Sequence, residues 1–169
     1  VIGSNISLER FYSNTDPLSV IQNLIEISNP NVKDKTIFVW PEGILPNILQ
    51  KDLIEYSWLF DERFSENHLF IIGINNISTN SVSKNYFNTL SVYDNKMKIL
   101  NTYNKIHLVP FGEFLPFENI LSSIGLKSLT NNYQSFTKGD HRNIIEIKYQ
   151  NSSLKFLPLI CYEIIYSGK

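Results

Sequence analysis

The stretch Thr36-Ile37-Phe38-Val39-Trp40-Pro41-Glu42-Gly43 decides the fold class of this 169-residue chain. Its first five residues are β-branched or aromatic with few polar positions, which is typical of a strand covered on both faces. Pro41 and Gly43 then end the strand and leave the Glu42 side chain at its carboxyl end. Because α/β proteins build their sites beyond the carboxyl ends of strands, Glu42 is a candidate functional residue. Burial there would make its carboxylate a stronger general base, whereas the alternative is a solvated loop glutamate.

The segments around this strand predict an α/β layer structure. Before it, Asp16-Pro17 predicts the start of a helix that ends near Ser28. After it, the apolar period predicts a helix from about Gln50 to Phe64 and a buried strand from Leu69 to Ile74. The apolar face of that helix is predicted to contain Leu53, Ile54, Trp58 and Leu59.

The second half of the chain predicts two hairpins separated by loops. The predicted elements are strands at Asn85–Tyr93 and Met97–Tyr103, a loop at Asn104–Pro116, a short helix at Phe117–Ile124, a polar surface segment at Ser128–Asp140, and strands at Arg142–Tyr149 and Leu154–Ile160. No repeat or linker separates these elements, so a single domain over residues 1–169 is expected.

Composition excludes several classes of protein. Hydrophobic residues make up 43% of the chain, enough for one buried core, so the chain is not a disordered tail. The net charge of −1 and the lack of a basic block argue against nucleic acid as a partner. With Cys161 as its single cysteine, the chain has no internal disulfide and no multi-cysteine zinc site. Its apolar runs are far shorter than the roughly 20 residues of a membrane-spanning helix.

A second candidate site lies in the loop Lys105-Ile106-His107-Leu108-Val109-Pro110-Phe111-Gly112-Glu113-Phe114-Leu115-Pro116. Its content of proline, glycine and aromatic residues indicates a packed, shaped loop. The charge of Lys105 could stabilise an oxyanion, although a lysine after a strand is usually an ordinary surface residue. Glu113 is interpreted as a carboxylate that orients Lys105 and the substrate, with a simple loop charge as the alternative. His107, between two apolar residues, is more typical of a packed structural histidine than of a catalytic base.

Cys161 is the third candidate. It ends an apolar run and precedes Tyr162-Glu163, a pattern typical of a strand that turns sharply so that a nucleophile projects from the turn. A thiol with a carboxylate base and a lysine for the oxyanion would form a covalent acyl-transfer site. The alternative is an inert buried thiol, the commoner state of a free cysteine.

These motifs resemble the nitrilase, or carbon-nitrogen hydrolase, superfamily, whose sites use a Glu-Lys-Cys triad in the chain order Glu42, Lys105, Cys161. More narrowly, Trp40-Pro41-Glu42, the loop from Lys105 to Pro116 and Ile160-Cys161-Tyr162-Glu163 resemble the apolipoprotein N-acyltransferase family, which completes bacterial lipoprotein maturation. The resemblance implies an α/β fold, the nitrilase-like α-β-β-α sandwich, with the triad at its strand ends.

The resemblance also implies a mechanism. Glu42 takes the thiol proton while Cys161 attacks an ester carbonyl of a phospholipid, giving a thioester. Lys105 and the backbone N–H of Tyr162 hold the oxyanion, and Glu113 supports Lys105. The α-amine of the diacylglyceryl-cysteine of an apolipoprotein then accepts the acyl chain, without metal or cofactor.

Further expectations follow from the same resemblance. Glu163 supports the site. Phe111 and Phe114 are candidates to contact the lipid substrate, with an ordinary buried loop core as the alternative. The family carries membrane helices before this domain and sandwich elements after the cysteine, so the chain is interpreted as an incomplete catalytic domain, truncated at its C-terminal side and not active alone. The expected location is the bacterial inner membrane, with the catalytic domain facing the periplasm.

Two alternatives remain open. A soluble nitrilase-type amidase would use water as the acyl acceptor, and a start codon near Val1 would favour it over the acyltransferase, whereas hydrophobic spans encoded upstream would favour the acyltransferase. A non-catalytic binding module would leave Cys161 unreactive, since a thiol without a nearby base or cation stays protonated.

Overall fold

The structure, a computed structural model, describes residues 16–45, 47–79, 83–117, 135–149 and 152–166. Its first element is a helix whose two ends are set by local sequence signals. Helix α1 spans Pro17–Ser28, and the Asp16 carboxylate caps it by accepting the Leu18 N–H at 3.2 Å. Asn29, in left-handed conformation, ends the helix. The prediction of this helix is confirmed.

The main sheet contains four strands in the order β1-β2-β3-β4. They are β1 (Thr36–Trp40), β2 (His68–Thr79), β3 (Lys84–Tyr93) and β4 (Ile99–Asn104). Strands β1 and β2 are parallel, and the other two pairings are antiparallel. This arrangement confirms the predicted strands and the first hairpin, and it brings the carboxyl ends of β1 and β4 to the region of the candidate site.

The second hairpin forms a separate two-stranded sheet from β5 (Ile145–Tyr149) and β6 (Ser152–Phe156). Its apolar residues pack with the face of the main sheet that carries Leu69, Val92 and Tyr103. The opposite face, with Phe70 and Ile72, packs against helix α1. Helix, sheet and second sheet therefore form successive layers, because neighbouring residues of a strand point to opposite faces.

An aromatic cluster fills the core between α1 and the main sheet. Its rings are those of Phe38, Trp40, Phe60, Phe64 and Phe70, with centroids 4.8–5.9 Å apart. Edge-to-face geometry is common among them and adds to the hydrophobic contribution of these large side chains. This cluster anchors β1, the strand that leads to Glu42.

Two predictions about burial are wrong. Strand β1 is not covered on both faces, since Ile37 and Val39 are 41% and 65% exposed. Beyond this edge strand, no described residue continues the sheet.

The predicted helix at Gln50–Phe64 is a 3₁₀ helix at Leu53–Tyr56 followed by the short helix α2 at Ser57–Asp61. Of its predicted apolar face, Leu53 is fully buried and Leu59 is partly buried, whereas Ile54 and Trp58 are exposed. Phe60, which was outside the predicted face, is fully buried. The 3₁₀ turn changes the angular period, so a face drawn with a continuous α-helical period is misplaced.

Residues 118–124 of the predicted helix at Phe117–Ile124 and residues 128–134 of the polar segment at Ser128–Asp140 lie outside the described residues. None of the helices in the described part of the chain combines the length and the apolar character needed to cross a membrane.

Candidate active site

Glu42 lies immediately after β1, where its backbone packs against Gly73 of β2. A β-carbon on Gly73 would lie 2.6 Å from both Cα and N of Glu42, so only glycine permits this approach. The Glu42 side chain is 34% exposed, so it is only partly buried. It projects beyond the end of an edge strand, where little of the chain covers it. It is nevertheless not an isolated loop glutamate, because it contacts Lys105 and Asn88.

Lys105 follows β4 and is buried, with 1% of the residue exposed. Its backbone is fixed on both sides, since its N–H donates to Asn88 O at 2.8 Å and its carbonyl accepts from Gly139 N at 2.9 Å. Its Nζ donates to Glu42 Oε1 at 3.3 Å and to Glu113 Oε1 at 3.0 Å. The ordinary surface-lysine alternative is therefore wrong.

The pKa of Lys105 reflects two opposing effects. Burial alone lowers it, but the hydrogen bond to Glu113 and the charges of Glu42 and Glu113 outweigh burial and raise it above its usual value. The ammonium therefore remains charged at neutral pH while it is withdrawn from water.

Glu113 is held by the loop that contains it. Its N–H donates to Val109 O, and its Oε2 accepts the Val109 N–H, both at 2.8 Å. Glu113 Oε2 also lies 2.9 Å from Lys105 Nζ, so this carboxylate contacts the ammonium through both oxygens. The structure brings Glu42, Lys105 and Glu113 into one cluster. In this cluster a fixed cation is flanked by two carboxylates.

Cys161 begins a 3₁₀ helix at Cys161–Tyr166. Its φ is 53°, a left-handed conformation that is uncommon for a residue with a β-carbon. The residue is exposed, so the alternative of an inert core thiol is wrong. Tyr162 links this turn to the other residues, because its hydroxyl donates to Leu108 O at 2.8 Å and its ring centroid lies 5.6 Å from Lys105 Nζ.

Glu163 joins the Cys161 turn to the beginning of the Lys105 loop. Its fully buried carboxylate accepts the backbone N–H groups of Ile106, His107 and Ile160, each at 3.0 Å. Tyr103 donates its hydroxyl at 2.9 Å, and Arg142 Nη2 lies 3.1 Å away.

Burial raises the pKa of Glu163, but the hydrogen bonds from His107, Ile160, Tyr103 and Ile106 outweigh burial and lower it overall. Glu163 is therefore an ionised carboxylate in the interior, with donors on both oxygens.

His107 takes part in packing. Its ring stacks on Tyr166 with a centroid distance of 4.4 Å and an interplanar angle of 21°, and its backbone N–H binds Glu163. This arrangement agrees with the interpretation of His107 as a packed residue.

The two phenylalanines predicted to bind substrate differ in their surroundings. Phe114 lines a groove of about 410 Å³ together with Phe136, Tyr162 and Lys138. Phe111 is 71% exposed and has a φ of 63°. The groove begins beside Tyr162, the neighbour of Cys161, and is lined mainly by apolar atoms.

Sequence reasoning missed two residues of this region. Asn88 lies on β3 and donates from Nδ2 to both Glu42 and Glu113. Arg142 pairs with Glu163 and donates from Nε to the Tyr103 hydroxyl at 3.2 Å. Asn88 is one of several polar residues of β3, so no local signal in the sequence distinguished it. Within the described ranges, no group of three or more His, Cys, Asp and Glu side chains is arranged to hold a metal ion.

The fold has a helix, the main sheet and the second sheet in successive layers, with a cluster of acidic and basic side chains at the strand ends. This combination points to the protein family that the chain matches. Residues 65–168 match the family described as carbon-nitrogen hydrolase. The chain belongs to this family, and the α/β nitrilase-like sandwich is confirmed as its fold.

The curated relatives that the chain matches have a more specific name than the family. The chain is 34% identical over 132 residues to the apolipoprotein N-acyltransferase of Brucella suis biovar 1 (strain 1330), covering 77% of the chain and 24% of that protein. It is 27% identical over 172 residues to the apolipoprotein N-acyltransferase of Allorhizobium ampelinum, covering 98% of the chain and 32% of that protein. The chain thus spans about a quarter to a third of the length of these relatives.

A solved structure supports the fold alone. The glutamine-dependent NAD+ synthetase of Acinetobacter baumannii matches over 88% of this chain and 25% of its own, with 20% identity and a TM-score of 0.51.

Proposed function

We propose that this chain is part of the catalytic domain of an apolipoprotein N-acyltransferase, which transfers a fatty acyl chain from a phospholipid to the α-amine of an N-terminal diacylglyceryl-cysteine. The observation that carries the proposal is the buried Lys105, whose ammonium lies between the carboxylates of Glu42 and Glu113 and faces the ring of Tyr162 beside the exposed Cys161. The names of the curated relatives supply the reaction, and membership of the carbon-nitrogen hydrolase family supplies the fold.

The first half-reaction forms an acyl-enzyme. Glu42 takes the proton of the Cys161 thiol, and the sulfur attacks an ester carbonyl of the phospholipid. The negative charge that develops on the carbonyl oxygen is stabilised by Lys105 and the backbone N–H of Tyr162. When the tetrahedral intermediate collapses, a C–S bond has formed, the C–O bond breaks, and the leaving alkoxide takes the proton back from Glu42.

The second half-reaction transfers the acyl chain to the lipoprotein. The amine attacks the thioester carbonyl, Glu42 takes its proton, and the C–S bond breaks after the C–N bond forms. The thiolate of Cys161 recovers the proton, so the enzyme returns to its starting state. This sequence is ping-pong acyl transfer and consumes no cofactor.

The surroundings of Lys105 suit this chemistry. Oxyanion stabilisation requires a cation that is fixed before the charge develops and is screened from water. Burial, together with the pairing to Glu42 and Glu113, provides both conditions and keeps the pKa of Lys105 above its usual value. Glu113 therefore acts on the substrate through Lys105, as a positioning carboxylate.

The groove beside Tyr162 is the proposed place for the acyl chain. Its lining includes Phe114 and Phe136, and apolar walls lower the cost of removing a hydrocarbon chain from water. Lys138 belongs to the same groove and supplies a positive charge for a lipid phosphate. Phe111 is exposed and, in this proposal, contacts lipid outside the groove.

The proposed location is the bacterial inner membrane with the domain on the periplasmic side, where phospholipid and apolipoprotein meet. The membrane attachment is assigned to parts of the protein outside this chain.

The test is the intact mass of the full-length protein that contains this chain, after incubation with phospholipid, beside its Cys161→Ala variant. We expect a fatty-acyl increment in the parent that is absent from the variant and is discharged by an apolipoprotein amine. Hydrolysis of small amides without an acyl increment would instead identify an amidase, and inactivity in both assays would identify a binding module.

A further inference from the structure

Asn88 occupies an unusual position at the candidate site. It lies on β3 and is 5% exposed, with its side-chain amide directed at two carboxylates. Its Nδ2 donates to Glu42 Oε1 and, at 2.6 Å, to Glu113 Oε1. Its backbone carbonyl accepts the Lys105 N–H at 2.8 Å. One residue therefore contacts all three members of the charged cluster.

The four side chains form a closed ring of hydrogen bonds. Lys105 Nζ donates to Glu42 Oε1 and Glu113 Oε1, the same oxygens that accept from Asn88. Each of these oxygens thus lies between one ammonium and one amide. Two carboxylates this close repel each other, and a single cation offsets only part of that repulsion.

An amide has the right chemistry for this position. Its NH₂ group carries two hydrogens, one for each carboxylate, and it adds no charge. An aspartate has almost the same shape but would place a third carboxylate against Glu42 and Glu113. An alanine would leave Glu42 held by Lys105, and Glu113 held by Lys105 and the Val109 N–H, without a donor shared between the two carboxylates.

We propose that Asn88 is a positioning residue for acyl transfer, which holds the Glu42 and Glu113 carboxylates together and keeps Glu42 oriented toward the Cys161 thiol. This inference rests on the proposed function, because it assigns Glu42 the role of base. The groups that face Glu42 are Lys105 at the end of β4 and Asn88 on β3, and Glu113 reaches it through the bonds shared with both.

The experiment compares Asn88→Ala, Asn88→Asp and the control Asn85→Ala in the full-length protein. Asn85 lies three residues earlier on β3 and so on the opposite face of the strand. The first readout is the rate at which Cys161 gains an acyl mass from mixed micelles of bacterial phospholipid, measured across pH. The second is the rate of Cys161 alkylation by iodoacetamide across the same pH range, which needs no acyl donor.

We expect Asn88→Ala to slow acylation by about tenfold or more at pH 7 and to slow the alkylation of Cys161 as well. The reason is that the Glu42 carboxylate loses the amide donor that holds it in position. Asn88→Asp should be slower than Asn88→Ala although it preserves the volume of asparagine, and Asn85→Ala should match the parent.

Several results would overturn the inference. They are unchanged acylation in Asn88→Ala, unchanged alkylation of Cys161 in Asn88→Ala, or an Asn88→Asp variant as active as the parent. If Asn88→Ala does not fold, the isosteric Asn88→Asp still tests the donor. If the parent itself forms no acyl-enzyme, the proposed function fails, and the alkylation profiles alone decide the role of Asn88.

Discussion

Replacing the carboxylate of Glu163 by an amide tests the connection between the Cys161 turn and the Lys105 loop. In Glu163→Gln the side chain keeps its size but loses its charge, and one acceptor oxygen becomes an NH₂ donor. Both oxygens of Glu163 accept hydrogen bonds, so in either orientation of the amide the new donor faces another donor. Arg142 also loses its buried counter-charge.

The expected magnitude follows from these losses. Removing one partner of a buried ion pair costs about 3–5 kcal/mol, and the retained volume of glutamine places this change near 3 kcal/mol. A loss of about 3 kcal/mol in local opening free energy corresponds to roughly a hundredfold increase in the exchange rate of the amides involved.

Hydrogen exchange followed by mass spectrometry in the full-length protein measures this effect at the backbone. The informative amides are those of Ile106, His107 and Ile160, which donate to Glu163. The matched control is Glu146→Gln, since Glu146 pairs with Lys155 on an exposed surface where their side chains are 46% and 61% exposed. Exposed pairs contribute little, so we expect no change in the control.

If exchange at these three amides rises less than about threefold in Glu163→Gln, the buried carboxylate does not hold the two segments together. The same conclusion follows if Glu146→Gln produces an equal rise, because the effect would then report a general loss of negative charge.

Three further predictions concern the packing and pH dependence of the same region. Gly73→Ala should push the Glu42 backbone away from β2, and because a displacement of about 1 Å can cost a hundredfold in rate, acyl-enzyme formation should fall by about that factor in intact-mass kinetics. Phe60→Ala should destabilise the protein by about 3–5 kcal/mol, whereas Trp58→Ala, which alters a 56% exposed side chain, should leave the melting temperature nearly unchanged; equal effects would contradict the assigned core. The pKa of Glu163 is below its ordinary value of 4.5, so its contribution to stability is present above that pH and lost as pH falls through the lower folded-state value; hydrogen exchange at Ile106 should therefore accelerate below pH 4.5 in the parent beyond its intrinsic pH dependence but not in Glu163→Gln.

Much of the fold was predictable because its signals are local. The cap at Asp16 and the alternating apolar residues of β5 each depend on a few neighbouring residues. The burial of β1 was not predictable, because an apolar run does not reveal whether a strand has neighbours on one side or both. The face of the helix near Trp58 failed because a 3₁₀ turn changes the period without a change in residue type.

In the candidate site, too, local motifs were predictable and contacts between distant segments were not. Motifs identified Glu42, Lys105 and Cys161, and their roles stay predictions. The contacts of Asn88 and Arg142 depend on pairings between distant strands and loops, which no local pattern encodes. The motifs left the burial of both residues open, and the structure shows that Glu42 is partly exposed and Lys105 is buried.

The left-handed backbone conformation of Cys161 lowers the stability of the fold at a position where the proposed activity needs a thiol. A residue with a β-carbon pays roughly 1–2 kcal/mol to adopt this conformation, and glycine adopts it with little penalty. Directed evolution that selects only for heat resistance would therefore favour glycine at position 161 and remove the thiol. Efforts to stabilise this domain should keep position 161 fixed and seek their gains elsewhere, for example at the exposed apolar residues of β1.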